Sequence, residues 1–160
     1  MMGQWGMAFR LLLVMALSAL LSCTKSSPPA VANPHARILN GNPNGDLAPV
    51  VARQFAASKA ENRTLLVYVG ATWCEPCKRL HEAVEKGQLD AEFPDLDLLA
   101  FDADMDAERL EWAGYHSQMI PALTVPNPDG KSSGRMMEGS IKGDGAVAEI
   151  SPRLKSLLGR

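Results

Sequence analysis

Two cysteines two residues apart, in Trp73-Cys74-Glu75-Pro76-Cys77-Lys78, directly follow the apolar run Thr64-Leu65-Leu66-Val67-Tyr68-Val69-Gly70. A helix-compatible stretch from Lys78 to Lys86 comes next. That order constrains the chain more than any other feature. A continuous apolar run with β-branched residues is expected for a strand buried on both faces. The cysteines then sit where that strand turns into a helix. There the free backbone N–H groups and the positive end of the helix dipole stabilise a thiolate. Cys74 precedes the helix and is expected to be the more exposed, attacking thiol. Cys77 lies close enough to resolve the mixed disulfide that such an attack creates. Pro76 suits the first turn, where a missing N–H costs little and a fixed φ helps the helix start. A structural disulfide and one half of a zinc site are the plainer readings of the pair. A closed zinc site needs four ligands, and the chain has no second cysteine pair.

The rest of the chain supplies a matching set of elements. Arg37-Ile38-Leu39 reads as a short strand, closed by Gly41, Pro43 and Gly45. Asp46 is placed to cap a helix with Pro49 in its first turn, and Leu47, Val50, Val51 and Phe55 recur at helical spacing. Leu80 and Val84 point the motif helix inward, and Gly87 can end it. Leu96 to Phe101 reads as a second buried strand. A helix starting at Asp104 or Asp106 follows, with Leu110 and Trp112 at its apolar positions and Gly114 near its end. Met119 to Val125 reads as a strand that admits Pro121 at its start. Asn127-Pro128-Asp129-Gly130-Lys131 is a turn signal, and Arg135 to Glu138 its returning strand. A last helix runs from about Gly145 to Leu158, and Pro152 is expected to kink or restart it. This order predicts an α/β sandwich with a central mixed β-sheet flanked by helices.

The chain has 160 residues, enough for one ordinary domain. A formal net charge of -2 gives no sign of a polyanion partner, so no nucleic acid is expected. Of the three cysteines, only Cys23 lies outside the motif. It follows Arg10 and an apolar core from Leu11 to Leu21, which is short for a permanent membrane span. Residues 1–22 therefore read as an export signal. Leu20-Leu21-Ser22-Cys23 resembles the lipobox of bacterial lipoproteins, in which the cysteine becomes the acylated N-terminus. A plain secretory signal with an incidental cysteine is the alternative. Thr24 is not Asp, which in the enterobacterial sorting pattern favours the outer over the inner membrane. Residues 23–45 then comprise the lipidated Cys23 and a Ser- and Pro-rich tether, and residues 46–160 the domain.

On Leu65 to Lys78, with the cysteine motif at its end, and on Ile120-Pro121, the sequence resembles the thioredoxin family. The Pro128-Asp129-Gly130-Lys131 turn and Gly139 fit the family's terminal hairpin. The spacing from Cys77 to Pro121 is close to that of simple thioredoxins, and the resemblance covers Asp46 to Leu158. It implies a thioredoxin-like fold and a thiol–disulfide oxidoreductase. Cys74 and Cys77 would be catalytic, Trp73 would shield the sulfurs and meet substrate, and a cis Pro121 with Ile120 would bind an extended substrate segment. An ordinary trans proline is the plainer reading of Pro121.

The sequence departs from the family twice. Tyr68 stands where thioredoxins carry a buried Asp that helps move the proton of the second cysteine. Glu75 stands where the family has Gly between the cysteines. A carboxylate there is expected to disfavour the Cys74 thiolate, leave the reduced form less favoured and so push the couple toward reductase behaviour.

The resemblance together with the export signal implies a periplasmic, lipid-anchored reductase acting on disulfides of exported proteins. A membrane electron donor of the DsbD type would recharge it, with no cofactor and no metal. An oxidase or isomerase on the same fold is the first alternative. A Cu(I)-handling chaperone using His81 and Met119 is the second, since thiolates and thioethers suit that ion. A non-catalytic adaptor is the third. Asp102, Asp104 and Asp106 fail the calcium-loop pattern at Ala107 and Ala113, and are expected to cap a helix instead.

Overall fold

The structure, a computed structural model, describes residues 33–160. The export signal, Cys23 and most of the expected tether lie outside the described residues. Among those described, no helix is long and apolar enough to cross a membrane.

Five strands form one sheet in the order β1-β3-β2-β4-β5. They are β1 (Arg37–Asn40), β2 (Thr64–Gly70), β3 (Leu96–Asp102), β4 (Ala122–Pro126) and β5 (Ser132–Glu138). Strands β1 and β2 run parallel to β3 on either side of it, while β4 is antiparallel to β2 and to β5. The sheet is therefore mixed, as the element order predicted. The helices are α1 (Leu47–Ala60), α2 (Glu75–Glu85), α3 (Ala107–Trp112) and α4 (Ala146–Leu158).

Side-chain alternation along β2 divides the core between two faces. Leu66 and Tyr68 pack with Cys77, Leu80 and Val84 of α2 and with Ile150 and Leu154 of α4. Leu65, Val67 and Val69 pack with Leu47 and Val51 of α1 and Leu110 of α3. Burial on both faces explains why β2 reads as an unbroken apolar run.

Several expectations need correction. The folded unit begins before Asp46, because β1 pairs with β3 from Arg37↔Asp97 to Asn40↔Ala100. The strand itself is legible in Arg37-Ile38-Leu39, but four residues carry too little pattern to show that it joins the sheet rather than the tether. Trp112 is not a core residue; α3 is a six-residue helix that buries Leu110 and leaves Trp112 75% exposed. Helix α4 runs without a break through Pro152. Pro152 and Ala148, whose carbonyl its ring leaves unpaired, both lie on the exposed side. Water can serve that carbonyl there.

The C-terminal ends of the parallel strands and the start of α2 meet at one edge of the sheet. Cys74 is the N-cap of α2, so the motif helix begins at Glu75, earlier than the apolar periodicity alone suggests.

Candidate functional site

Cys74 and Cys77 are joined as a disulfide with their Cα atoms 5.2 Å apart. The local chemistry of the helix start accounts for the placement. Cys74 has extended backbone angles, its Sγ accepts the N–H of Cys77 at 3.2 Å, and its carbonyl accepts the N–H of Lys78 at 3.1 Å. Pro76 occupies the first turn, where no donor is lost. The sulfur thus replaces one missing backbone partner at a helix N-terminus, the position that favours a thiolate once the disulfide is reduced. The expected contrast in exposure is slight. Cys74 and Cys77 are both buried, at 4% and 2% of their surface.

Trp73 stands beside them, 66% exposed, with its indole Nε1 donating to Asp104 Oδ2 at 2.8 Å. The Ile120–Pro121 peptide bond is cis, as the resemblance implied. The Pro121 carbonyl accepts the N–H of Gly139 at 2.9 Å, which fixes the proline loop to the end of β5. Gly139 has φ +69, and a Cβ there would come within 3.2 Å of Met119. Trp73, Met119, Ile120 and Gly139 line a groove of about 530 Å³. The groove brings Trp73 and Ile120 together from segments far apart in sequence.

The structure changes the expected effect of Glu75. Its carboxylate accepts Arg79 Nε at 2.9 Å and the N–H of Gly143 at 3.0 Å. The Arg79 hydrogen bond leads in holding its pKa below the ordinary carboxylate value, with the Gly143 N–H and the charges of Arg79 and Lys142 adding to it. Arg79 also reaches Asp144 at 3.2 Å. A carboxylate so compensated disfavours the Cys74 thiolate far less than a free one would. Glu75 acts instead as a link between the start of α2 and the loop before α4.

A second cavity, of about 590 Å³, is bordered by Cys77, Tyr68 and His81. Tyr68 pairs with Ala100 and Leu123 in the sheet. Its ring is buried beneath the motif, and burial pushes its phenol well above the ordinary value. Gly70 makes room for it, since a Cβ at Gly70 would lie 2.3 Å from the Tyr68 hydroxyl oxygen. The Tyr68 and His81 rings have centroids 5.2 Å apart.

His81 and Met119, paired in the Cu(I) reading, line different cavities. Among the described residues no group of three or more His, Cys, Asp or Glu side chains could hold a metal ion. Asp102, Asp104 and Asp106 shape the turn into α3: Asp102 Oδ1 accepts the N–H groups of Asp104 and Met105, and Asp106 Oδ2 that of Asp102. Asp106 is the N-cap of α3 by position but makes no side-chain cap bond.

Sequence reasoning missed Asp104 as the anchor of Trp73, and missed Arg79 and Gly143 as the partners of Glu75. The Arg79 pairing could have been found, because Glu75 and Arg79 stand four residues apart on one helix face. The Gly143 contact had no local signal.

Comparison with known proteins agrees with this geometry. The thioredoxin family model matches residues 47–151, and the chain belongs to the thioredoxin family. Thioredoxin from Nicotiana alata is similar in structure, with a TM-score of 0.50 at 20% identity, over 81% of this chain and 97% of the other. Thioredoxin from Trichomonas vaginalis gives a TM-score of 0.49 at 18% identity, over 80% and 98%. No curated protein matches the sequence. The family and the Cys74–Cys77 pair support a thiol–disulfide oxidoreductase.

Proposed function

We propose that the chain is an exported, lipid-anchored protein-disulfide reductase working on the periplasmic side of a bacterial membrane. The observation that carries the redox reading is the Cys74–Cys77 disulfide at the N-terminus of α2, beside a groove lined by Trp73 and Ile120. In the reduced form the Cys74 thiolate attacks a sulfur of a client disulfide. One client sulfur leaves as a thiolate and takes a proton, and the other stays bound to Cys74. Cys77 then loses its proton, attacks Cys74 Sγ and displaces the second client thiol. The client gains two electrons and the domain ends as the Cys74–Cys77 disulfide. A membrane dithiol donor of the DsbD type returns those electrons.

The reducing direction rests on burial. Both cysteines are enclosed, and the residue beneath them is a phenol held neutral rather than a charge. Burial raises a thiol's pKa and so works against the helix N-terminus, which destabilises the reduced form. A strong oxidant works the other way, through a stabilised reduced form. The export signal over residues 1–22 and the lipobox-like Leu20-Leu21-Ser22-Cys23 support the location, and the residue after Cys23 favours the outer membrane. Acylation at Cys23 would hold the protein firmly only with more than one chain.

The test is reduction of a disulfide-bonded protein such as insulin with dithiothreitol as electron source. The wild-type chain is expected to turn over, and Cys77→Ser to accumulate a mixed disulfide through Cys74. Absence of both turnover and the trapped species would refute the redox reading. Growth in radiolabelled palmitate tests the anchor: label on the wild-type chain and none on Cys23→Ser is expected, and an unlabelled wild-type chain would refute it.

A further inference from the structure

We propose that His81 accepts the proton of Cys77 when Cys77 attacks the mixed disulfide, through water in the cavity that the two residues share. This rests on the thiol–disulfide exchange proposed above and names the group that serves its second step.

Cys77 and His81 lie four residues apart on α2, so their side chains fall on one helix face, one turn apart. Both border the cavity of about 590 Å³, which shares no described lining residue with the groove of Trp73 and Ile120. That volume is ample for several waters, and Tyr68, His81 and Asp102 are among the residues that line it and can give them polar partners. Tyr68 sets the imidazole in place: its ring packs at 5.2 Å and 56° against that of His81.

The other groups at this cavity are poor acceptors. Tyr68 on β2 is held as the neutral phenol by burial and can only pass a proton along. Asp102 on β3 already receives the N–H groups of Asp104 and Met105 at 2.9 and 3.0 Å. Glu82 on α2 is paired with Lys86 at 3.2 Å. Lys78 brings a cation without a lone pair. His81 is half-buried, and burial lowers its pKa below the ordinary value against a smaller opposing pull from Glu85. It is therefore a neutral base near pH 7 with a free ring nitrogen.

Cys77 Sγ gives its proton to a cavity water, which passes one on to His81. The Cys77 thiolate bonds to Cys74 Sγ, and the Cys74–client bond breaks. The departing client thiolate takes a proton from solvent, and the imidazolium later returns its own to solvent.

The reduced full chain, mixed with 5,5′-dithiobis(2-nitrobenzoate), reads the two steps apart. Release of the first thionitrobenzoate reports attack by Cys74, and release of the second reports resolution by Cys77. His81→Gln is expected to lower the ratio of second-phase to first-phase rate by about a hundredfold at pH 7, the low end for a general base. The wild-type second phase should rise through the histidine titration and then level. The second phase of His81→Gln should climb with hydroxide until the two proteins converge at alkaline pH. His81→Asn, of different shape, should behave as His81→Gln does. An unchanged ratio in both variants, or equal slowing at every pH, would overturn the assignment while leaving the exchange itself intact. A wild-type chain that never releases the second equivalent would instead overturn the exchange reading, and this inference with it.

Discussion

The two ends of β2 and β3 handle buried polarity in opposite ways. At the N-terminal end, Asp97 is wholly buried within β3 and fully engaged. It accepts from Arg63 Nε at 2.7 Å, Arg37 Nε and Nη2 at 2.9 Å each, and Ser58 Oγ at 2.7 Å. Arg63 in turn donates to the carbonyls of Asn33, His35, Pro94 and Leu96. This cluster ties β1, α1 and β3 together and leaves no group free to react. At the C-terminal end the buried tyrosine is uncharged, the sulfurs can open, and His81 faces a cavity. One end satisfies every charge and fixes the strands; the other leaves a titratable group beside reactive sulfurs. The contrast separates residues that position the sheet from residues that use it.

The largest effect that would sharpen this contrast is at the sulfurs. Cys74→Ser should abolish insulin reduction while leaving the thermal midpoint of the reduced chain within a few degrees of wild type. Residual turnover in that variant would mean another nucleophile attacks.

The opposite pattern is expected at the other end. Arg63→Met leaves the Asp97 charge buried with fewer partners, and should cost about 3–5 kcal/mol in urea unfolding. The reduction potential of the surviving folded protein should not move. A change in potential as large as the change in stability would erase the division between the two ends.

The same cluster gives a pH signature. Burial raises the pKa of Asp97, but hydrogen bonds from Arg37, Ser58 and Arg63 and the Arg63 charge outweigh it, so the folded-state value is depressed. Its contribution is therefore complete above the unfolded value of about 3.9 and is lost as pH falls through the lower folded value. The urea midpoint should drop below about pH 4, and less steeply in Asp97→Asn. Equal slopes in the two proteins would remove Asp97 from the acid transition.

A smaller effect is expected at the groove. Trp73→Ala should raise KM for a protein disulfide about fivefold with kcat little changed, as loss of a binding contact of about 1 kcal/mol would. A fall in kcat alone would place Trp73 in the chemical step instead. The smallest effect belongs to Glu75→Gln. Since Arg79 and Gly143 already engage that carboxylate, the potential should shift by less than about 15 mV, under about 0.7 kcal/mol for two electrons. A shift several times larger would restore the direct electrostatic role that the sequence suggested.

The redox end was more legible in the sequence than the structural end, for a physical reason. The cysteines, β2 and the start of α2 are contiguous, so strand, turn and helix signals fall in one window. The Ile120–Pro121 site lies far along the chain, but family resemblance carried it. The Asp97 cluster has no such window. Its partners lie on β1, at the end of α1 and just before β2, and Asp97 itself sits in a run otherwise apolar enough to read as a plain buried strand. The partner of Glu75 is hidden for the same reason, because Gly143 reaches it from a distant loop. His81 was visible only as a metal-ligand candidate, and the shared cavity with Cys77 and Tyr68 emerged from the packing of α2 on the sheet.

The most direct test of the account is the reduction potential of the Cys74–Cys77 couple in the full chain, equilibrated against glutathione and dithiothreitol. The account predicts a reversible two-electron couple near or below about −270 mV, the value for thioredoxin. A value near about −120 mV, that of a strong oxidant, would contradict the reducing direction. The absence of any reversible couple would contradict the redox function itself.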